Sequence, residues 1–382
     1  MITGEYPPTL GGVSDYTWHV ARGLAEAGDH VTVYAPPATG PAPVAANVVV
    51  RHLPDHFGPR GLLRLDSELC TTPRPDCILI QYVPHGYGFK AMNVPFAIWV
   101  NRRARRIAPL WVMFHEVTFP LVRRPLRHRL LANVNRWMAG RIAHAAERIF
   151  ISIPGWEGVL REIAPRSPRP EWRPIPSNFV GTPRAAEVAK WRDRYLADHT
   201  GPLIVHFGSH GKGLCKLLQQ TVPELLARDS NRVLVVLGRG SQEFHREFLD
   251  QHPEFQNRIH AAGVLSSHDI LAHVHACDWQ FQPYVDGVST RRTSLMLGLA
   301  AAKPIITNTG PLSESFWAES GCLVLAASPA PHAIIDAADA ALRQSGDARA
   351  EVAIRAARMY ADRFSLDQTI RHLRTERFQG DG

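Results

Sequence analysis

The sequence has no uninterrupted apolar run near the roughly 18 residues that span a bilayer, and its first residues lack the basic-then-apolar order of a secretory signal. Both absences point to a cytoplasmic protein, with peripheral contact at the inner face of a membrane left open. The five cysteines, Cys70, Cys77, Cys215, Cys277 and Cys322, are odd in number, scattered and without C-x-x-C spacing. Neither a disulfide framework nor a zinc site fits that pattern. No repeat of 20 to 50 residues and no low-complexity tract occurs. Acidic residues are in deficit, 35 against 43 Lys and Arg, for a net charge of +8. The excess favours anionic partners: nucleic acid, a membrane surface or phosphorylated small molecules.

What is present is an ordinary globular composition, 45% hydrophobic and 20% charged over 382 residues, a length that two hydrophobic cores serve better than one. Short apolar runs at 30–36, 76–83, 110–117 and 148–153 have the character of parallel strands covered on both faces. Helix-like segments lie between them, at 14–28 and 126–146. Residues 165–185 are proline-rich and aperiodic, and read as a linker or hinge. The alternation then resumes with strand-like runs at 203–209, 232–238, 278–284 and 304–309. The expected fold is therefore α/β, with two Rossmann-like doubly wound domains facing a central cleft. Their expected limits are 1–178 and 179–355, followed by a helical tail, 356–382, packing back across the junction. Only Met1, Ile2 and Thr3 precede the first glycine turn, so either the first strand is short or the start codon is placed too late.

Several loops carry candidate chemistry. In "GEYPPTLGGVSDYTWHVARGLA", Gly11 and Gly12 precede a helix whose cap is expected at Ser14 or Asp15. Free amides at such a start can hold a phosphate, although a plain tight turn explains the glycines equally well. His115 and Glu116 end an apolar strand, and His85 follows an earlier one, places where ligands of α/β sheets sit. "VHFGSHGKGLCKLL" sets Gly208, Gly211 and Gly213 around Ser209, His210 and Lys212 before a helix, but matches neither G-x-G-x-x-G nor the P-loop.

"DGVSTRRTSLMLGLAAAKPIITNTGPLSE" places Arg291 and Arg292 at the start of an apolar helix, where cations oppose the helix dipole. A diphosphate between the guanidinium groups and the helix amides would resolve that conflict. Pairing with Asp286, Glu314 or other carboxylates would resolve it as well.

Taken in order, these segments resemble a GT-B glycosyltransferase of the large retaining family 4, the glycosyltransferase group 1 kind. The likeness rests on the loop at 4–36, "FHE" ending at Glu116, "PSNF" at 176–179 as an interdomain hinge, and the segment from 275 to 314. It implies an acceptor-side first domain and a second domain that binds a nucleotide-diphosphate sugar as co-substrate, with no cofactor. Gly11 and Gly12 would approach the donor diphosphate, with Ser209 and Lys212 on the same donor. His115 would lie near the transferred sugar, with His85 and Glu116 on the sugar or acceptor side. Asp286 would hold sugar hydroxyls beside the amides of Gly287, Val288 and Ser289. No Asp-x-Asp occurs, so the leaving charge would be met by cations and helix amides without a metal. The acceptor hydroxyl would attack from the leaving-group face, retaining the anomeric configuration.

The chain departs from the family's pattern in two places. Of the family's two glutamates separated by seven residues, the positions here hold Asp286 and Ser294. The arginine usual before the loop lysine is missing, and Arg291 or Arg292 is the expected replacement. The acceptor is left open. Arg102, Arg103, Arg105, Arg106, Arg123, Arg124, Arg127 and Arg129, with Trp99, Trp111 and Trp137 nearby, fit an anionic membrane, a lipid-linked acceptor or merely a solvated arginine-rich surface, and a polysaccharide acceptor is open as well. The rival readings are a GT-B sugar-nucleotide 2-epimerase and a degenerate GT-B protein that binds a sugar nucleotide without transfer. Nucleic-acid binding is not expected, because no recognition module accompanies the charge.

Overall fold

The computed structural model describes residues 1–9, 11–71, 73–119, 126–197 and 199–375. Two compact units emerge. One comprises Met1–Asn178 with the final helix Leu366–Thr375, and the other is Phe179–Ser365.

The first unit is built on strands β1 (Ile2–Thr3), β2 (Val31–Ala35), β3 (Val48–His52), β4 (Pro54–Phe57), β5 (Ile78–Tyr82), β6 (Leu110–Phe114), β7 (Arg148–Ile151) and β8 (Glu171–Trp172). All but β4 form one sheet in the order β3-β2-β1-β5-β6-β7-β8, with every pairing parallel. Strands β5 and β6 are buried at all five positions, because helices cover both faces. Alternate residues therefore enter different cores. Ile80, Val112 and Phe114 pack with Met138 and Ile142 on one side. Leu79, Trp111 and Met113 pack with Val20, Leu24, Ile370 and Leu373 on the other.

The second unit repeats the plan with β9 (Leu203–Phe207), β10 (Val233–Leu237), β11 (Ile259–Gly263), β12 (Trp279–Phe281), β13 (Ile305–Asn308) and β14 (Val324–Ala326). Their order is β11-β10-β9-β12-β13-β14, again all parallel. Each sheet thus reverses its winding direction once, between β1 and β5 and between β9 and β12. In doubly wound folds a ligand sits outside the carboxyl ends of the strands at that reversal.

Three expectations change. The proline-rich segment 165–185 is not wholly aperiodic: Glu171–Trp172 extends the first sheet, because Glu171 is fastened to Arg148 of β7 (2.8 Å) and the Arg173 amide donates to Ile151 (2.9 Å). The tail does not start at 356. The helix Gly346–Met359 runs into a π-helical turn, Tyr360–Phe364, whose buried Phe364 packs on Trp317 of the second unit (centroids 5.7 Å). Only the helix from Leu366 joins the first unit, packing Ile370 and Leu373 against the helix Gly12–Glu26. Finally, that first helix begins at Gly12, two residues before the expected cap. Gly11 is its N-cap, the Ser14 hydroxyl donates to Thr9 O (2.6 Å) and Asp15 lies in the first turn. Strand β1 has two residues, fewer than its neighbours on either side.

Candidate functional sites

At the reversal point of the first sheet the chain leaves β1 through Gly4, which abuts Gly86 in the loop after β5. A side chain on Gly4 would strike the Gly86 backbone, so this approach requires glycine. Glu5 follows, and a Cβ on Gly11 would collide with its carboxylate. The anion beside the start of the helix Gly12–Glu26 is therefore one of the protein's own side chains. Glu5 also meets His85 Nε2 at 3.5 Å. That bond, aided by the charges of Glu5 and Glu116, raises the His85 pKa against the opposing effect of burial. The structure thus places Gly11, Gly12, His85, His115 and Glu116 at the carboxyl end of one sheet, with Glu5 touching Gly11 and His85. Sequence reasoning did not single out Glu5; its place directly after the first glycine turn was the available signal.

His115 follows β6 and is buried beneath the edge of Tyr16 (centroids 4.8 Å). Its Nε2–H donates to Gln81 Oε1 of β5 (2.8 Å). Burial drives its pKa down to about 3, so the ring is neutral at physiological pH. With the proton on Nε2, Nδ1 carries the lone pair and can accept a hydrogen from a hydroxyl. At the end of the unit, Asn178 is tied to the first helix: its carbonyl bonds His19 Nε2 (2.9 Å) and its amide reaches Asp15 (3.4 Å).

In the second unit, β9 runs into 208–211 and the helix Lys212–Ala227, whose N-terminus has no side-chain cap. Ser209 and Lys212 are exposed there. Beneath them His206 is fully buried, donates Nδ1–H to Phe281 O (2.8 Å), and is pushed down to about pKa 3 by burial and by His210. Its buried Nε2, with no hydrogen-bond partner among the described residues, lies beside Gly208. Sequence reasoning did not single out His206, which lies inside the apolar strand run 203–209.

Across the reversal point, the segment after β12 is held by several cross-strand bonds. Asn308 bonds both the amide and the carbonyl of Tyr284 (2.8 Å each), and the Val288 amide donates to Asn308 O (2.9 Å). Gly287 has φ +84° and faces Gly310 so closely that any Cβ would collide with the Gly310 backbone. Glu314 accepts from the Thr290 amide (3.0 Å) and hydroxyl (2.6 Å) and from Trp317 Nε1 (2.7 Å). The Ser289 hydroxyl is buried without a hydrogen-bond partner among the described residues. This loop lies against the glycine loop, with Val285 packed beside Gly213 and Gln282 donating to Phe207 O (3.0 Å).

The two arginines converge on one carboxylate. Arg291 Nη2 donates to Asp286 Oδ2 (2.8 Å) and Arg292 to Asp286 Oδ1. Arg292 also lies over the Tyr284 ring, 4.9 Å from its centroid, and the Tyr284 hydroxyl is paired with Ser294 Oγ (2.9 Å). Asp286 therefore pairs with both cations at the start of the helix Thr293–Ala300. Asp286, Arg291, Arg292 and Ser294 form one linked cluster beside Gly287, Val288 and Ser289. Arg123 and Arg124, expected on the acceptor side, lie outside the described residues.

Residues 11–178 match the family model described as the glycosyl transferase 4-like domain. The first unit is thus similar to a glycosyl transferase 4-like domain. No curated protein matches the sequence. Solved structures do match over nearly the whole length. HepE of Anabaena, in complex with UDP and glucose, is 17% identical with a TM-score of 0.68, covering 98% of each chain. Sucrose-phosphate synthase of Thermosynechococcus elongatus is 14% identical with a TM-score of 0.73, covering 99% of this chain and 96% of its own. A glycosyltransferase of Rickettsia africae is 14% identical with a TM-score of 0.72, covering 99% and 98%. The fold is that of GT-B glycosyltransferases: the first Rossmann-like unit is followed by a second. Among the described residues no helix is long and apolar enough to cross a membrane.

Proposed function

We propose that the chain moves a sugar from a nucleoside-diphosphate donor to a hydroxyl acceptor, retaining the anomeric configuration and using no metal. The carrying observation is the cluster at the reversal point of the second sheet. There the Arg291 and Arg292 guanidinium groups and the backbone at 287–289 adjoin the Asp286 carboxylate, and the same loop lies beside the uncapped helix start at Lys212.

Breaking the bond between the anomeric carbon and the diphosphate leaves an oxocarbenium-like sugar and a departing anion. Lys212, an arginine and the helix amides meet that anion. An arginine drawn to the diphosphate releases Asp286, which then accepts sugar hydroxyls; donor binding and sugar recognition are coupled through one exchange of partners. In the glycosyl transferase 4-like domain, neutral His115 offers Nδ1 to a sugar hydroxyl and acts as a positioning group, not a nucleophile. The acceptor oxygen bonds to the anomeric carbon on the face the diphosphate leaves, and its proton departs on the phosphate oxygen. Ser294, already paired with Tyr284, is a weaker ribose partner than a carboxylate would be.

HepE is bound to UDP in its crystals, which makes UDP-sugars the first donors to try. A thermal-shift panel of UDP-, GDP-, ADP- and dTDP-sugars in EDTA, on the wild type, Arg291→Met and Arg292→Met, tests the reading. One donor should raise the wild-type midpoint and lose most of that effect in an arginine variant. Failure of every donor would remove the donor site. Free epimerised sugar without a glycosylated product would identify an epimerase instead.

A further inference from the structure

The positive charge is segregated. Between residues 77 and 146 the sequence holds eleven Lys and Arg and a single acid, Glu116, so this stretch alone exceeds the net +8 of the whole chain. Two helices of that stretch lie side by side in the first unit, Val94–Arg102 and Leu126–Ala145. Asn135 donates to Ala91 O (2.7 Å) and Asn101 to Arg141 O (3.0 Å), so the two run in the same direction with their outer faces adjacent.

Those outer faces combine apolar and cationic side chains. Leu130 is 61% exposed, Trp137 40% and Ile98 38%. Arg102, Arg129 and Arg141 are exposed between and beside them and make no ion pair among the described residues. Arg103 and Arg136 differ, being committed to Asp66 and Glu162. Arg141 stacks over the Trp137 ring (5.3 Å), which holds a cation and an indole together at the surface. Spacings of four and seven, from 130 to 137 to 141, keep these groups on one side of the longer helix.

We propose that this two-helix face docks on an anionic lipid surface, with Trp137, Leu130 and Ile98 entering the headgroup boundary and the arginines pairing with lipid phosphates. Apolar groups set among unpaired cations are the chemistry of an interfacial helix, and indole favours that boundary. A protein partner of acidic surface would meet the charges but leave the exposed leucine and isoleucine without a matching face. The inference stands independently of the donor reading, since none of these residues belongs to either candidate site.

Flotation of the full chain with vesicles is the test. Vesicles of equal phosphatidylglycerol and phosphatidylcholine should carry the protein at low salt, and pure phosphatidylcholine should not. High salt should release it. Arg129→Glu/Arg141→Glu should reduce partitioning by at least about tenfold, and Trp137→Ser/Leu130→Ser should also abolish flotation while leaving the thermal midpoint unchanged. Val264→Ser, exposed on the second unit, should float like the wild type. Equal binding to both vesicle types, or binding indifferent to the helix variants, would overturn the proposal. Capture by heparin or an oligonucleotide without vesicle binding would replace it with a soluble polyanion site.

Discussion

Asp286→Asn separates the two roles given to the cluster. In the structure the Asp286 carboxylate pairs with both Arg291 and Arg292, and all three side chains are between a fifth and a third exposed. Ion pairs so accessible to water are worth about 0.5–1 kcal/mol each. Removing the carboxylate's charge weakens its hold on both guanidinium groups and eliminates a negative charge next to the proposed diphosphate position. UDP alone, or whichever nucleoside diphosphate the donor panel identifies, should then bind more tightly by about 1–2 kcal/mol, or roughly 5- to 30-fold. Transfer should move the opposite way. A sugar hydroxyl loses a charged acceptor worth about 1.5–3 kcal/mol, so kcat/KM should fall by roughly 10- to 150-fold. Calorimetric titration of the nucleotide and an assay of nucleotide release read the two effects separately. Unchanged or weaker nucleotide binding in Asp286→Asn would refute the partner exchange, because it would mean that neither arginine turns to the diphosphate.

His115→Ala should lower turnover by about 10- to 100-fold with little change in nucleotide affinity, because the contact proposed for the ring is with the sugar and not the nucleotide; a comparable loss of nucleotide binding would contradict that role. Gly287→Ala forces a side chain into φ +84° against Gly310, costing at least about 1–3 kcal/mol, which urea unfolding should register together with loss of donor binding. The two buried histidines predict acid sensitivity. His115 and His206 titrate near 3 when folded and near 6.5 when unfolded, so their contribution is intact above about pH 6.5 and is lost as pH falls towards 3. At pH 5 the gap of about 1.5 units amounts to about 2 kcal/mol for each. His206→Gln should reduce the loss of stability between pH 7 and 5 by that amount in denaturant melts, and an unaltered pH dependence would show that the histidine is not buried neutral.

The strongly apolar central strands were legible in the sequence because β5, β6, β9 and β10 are covered on both faces and hold no breaker. The missed strands lack that signature. Val48–His52 alternates between half-buried and exposed, Ile259–Gly263 is built on alanine and glycine, and Val324–Ala326 has three residues. Glu171–Trp172 sits between prolines, and side-chain pairing with Arg148 rather than residue preference recruits it to the sheet. In the sites, the glycine loops and the paired arginines announced themselves by type and spacing. What sequence could not decide was which partner each polar group takes. Both a diphosphate and Asp286 were open as answers for the arginines, and the fold brings Asp286 to both. Glu314 is spent on Thr290, 24 positions away. Glu5 covers Gly11 because Gly4 and Gly86 let two loops touch, and only the folded sheet brings them together.

The most direct test is hydrogen exchange of backbone amides in the intact protein, with and without the donor that the thermal panel selects. Slowed exchange at 287–294 and at 209–213 is predicted, since in the proposed site those amides and the helix start at Lys212 would meet the diphosphate. Protection absent from both segments and present elsewhere would contradict the assignment of the donor site.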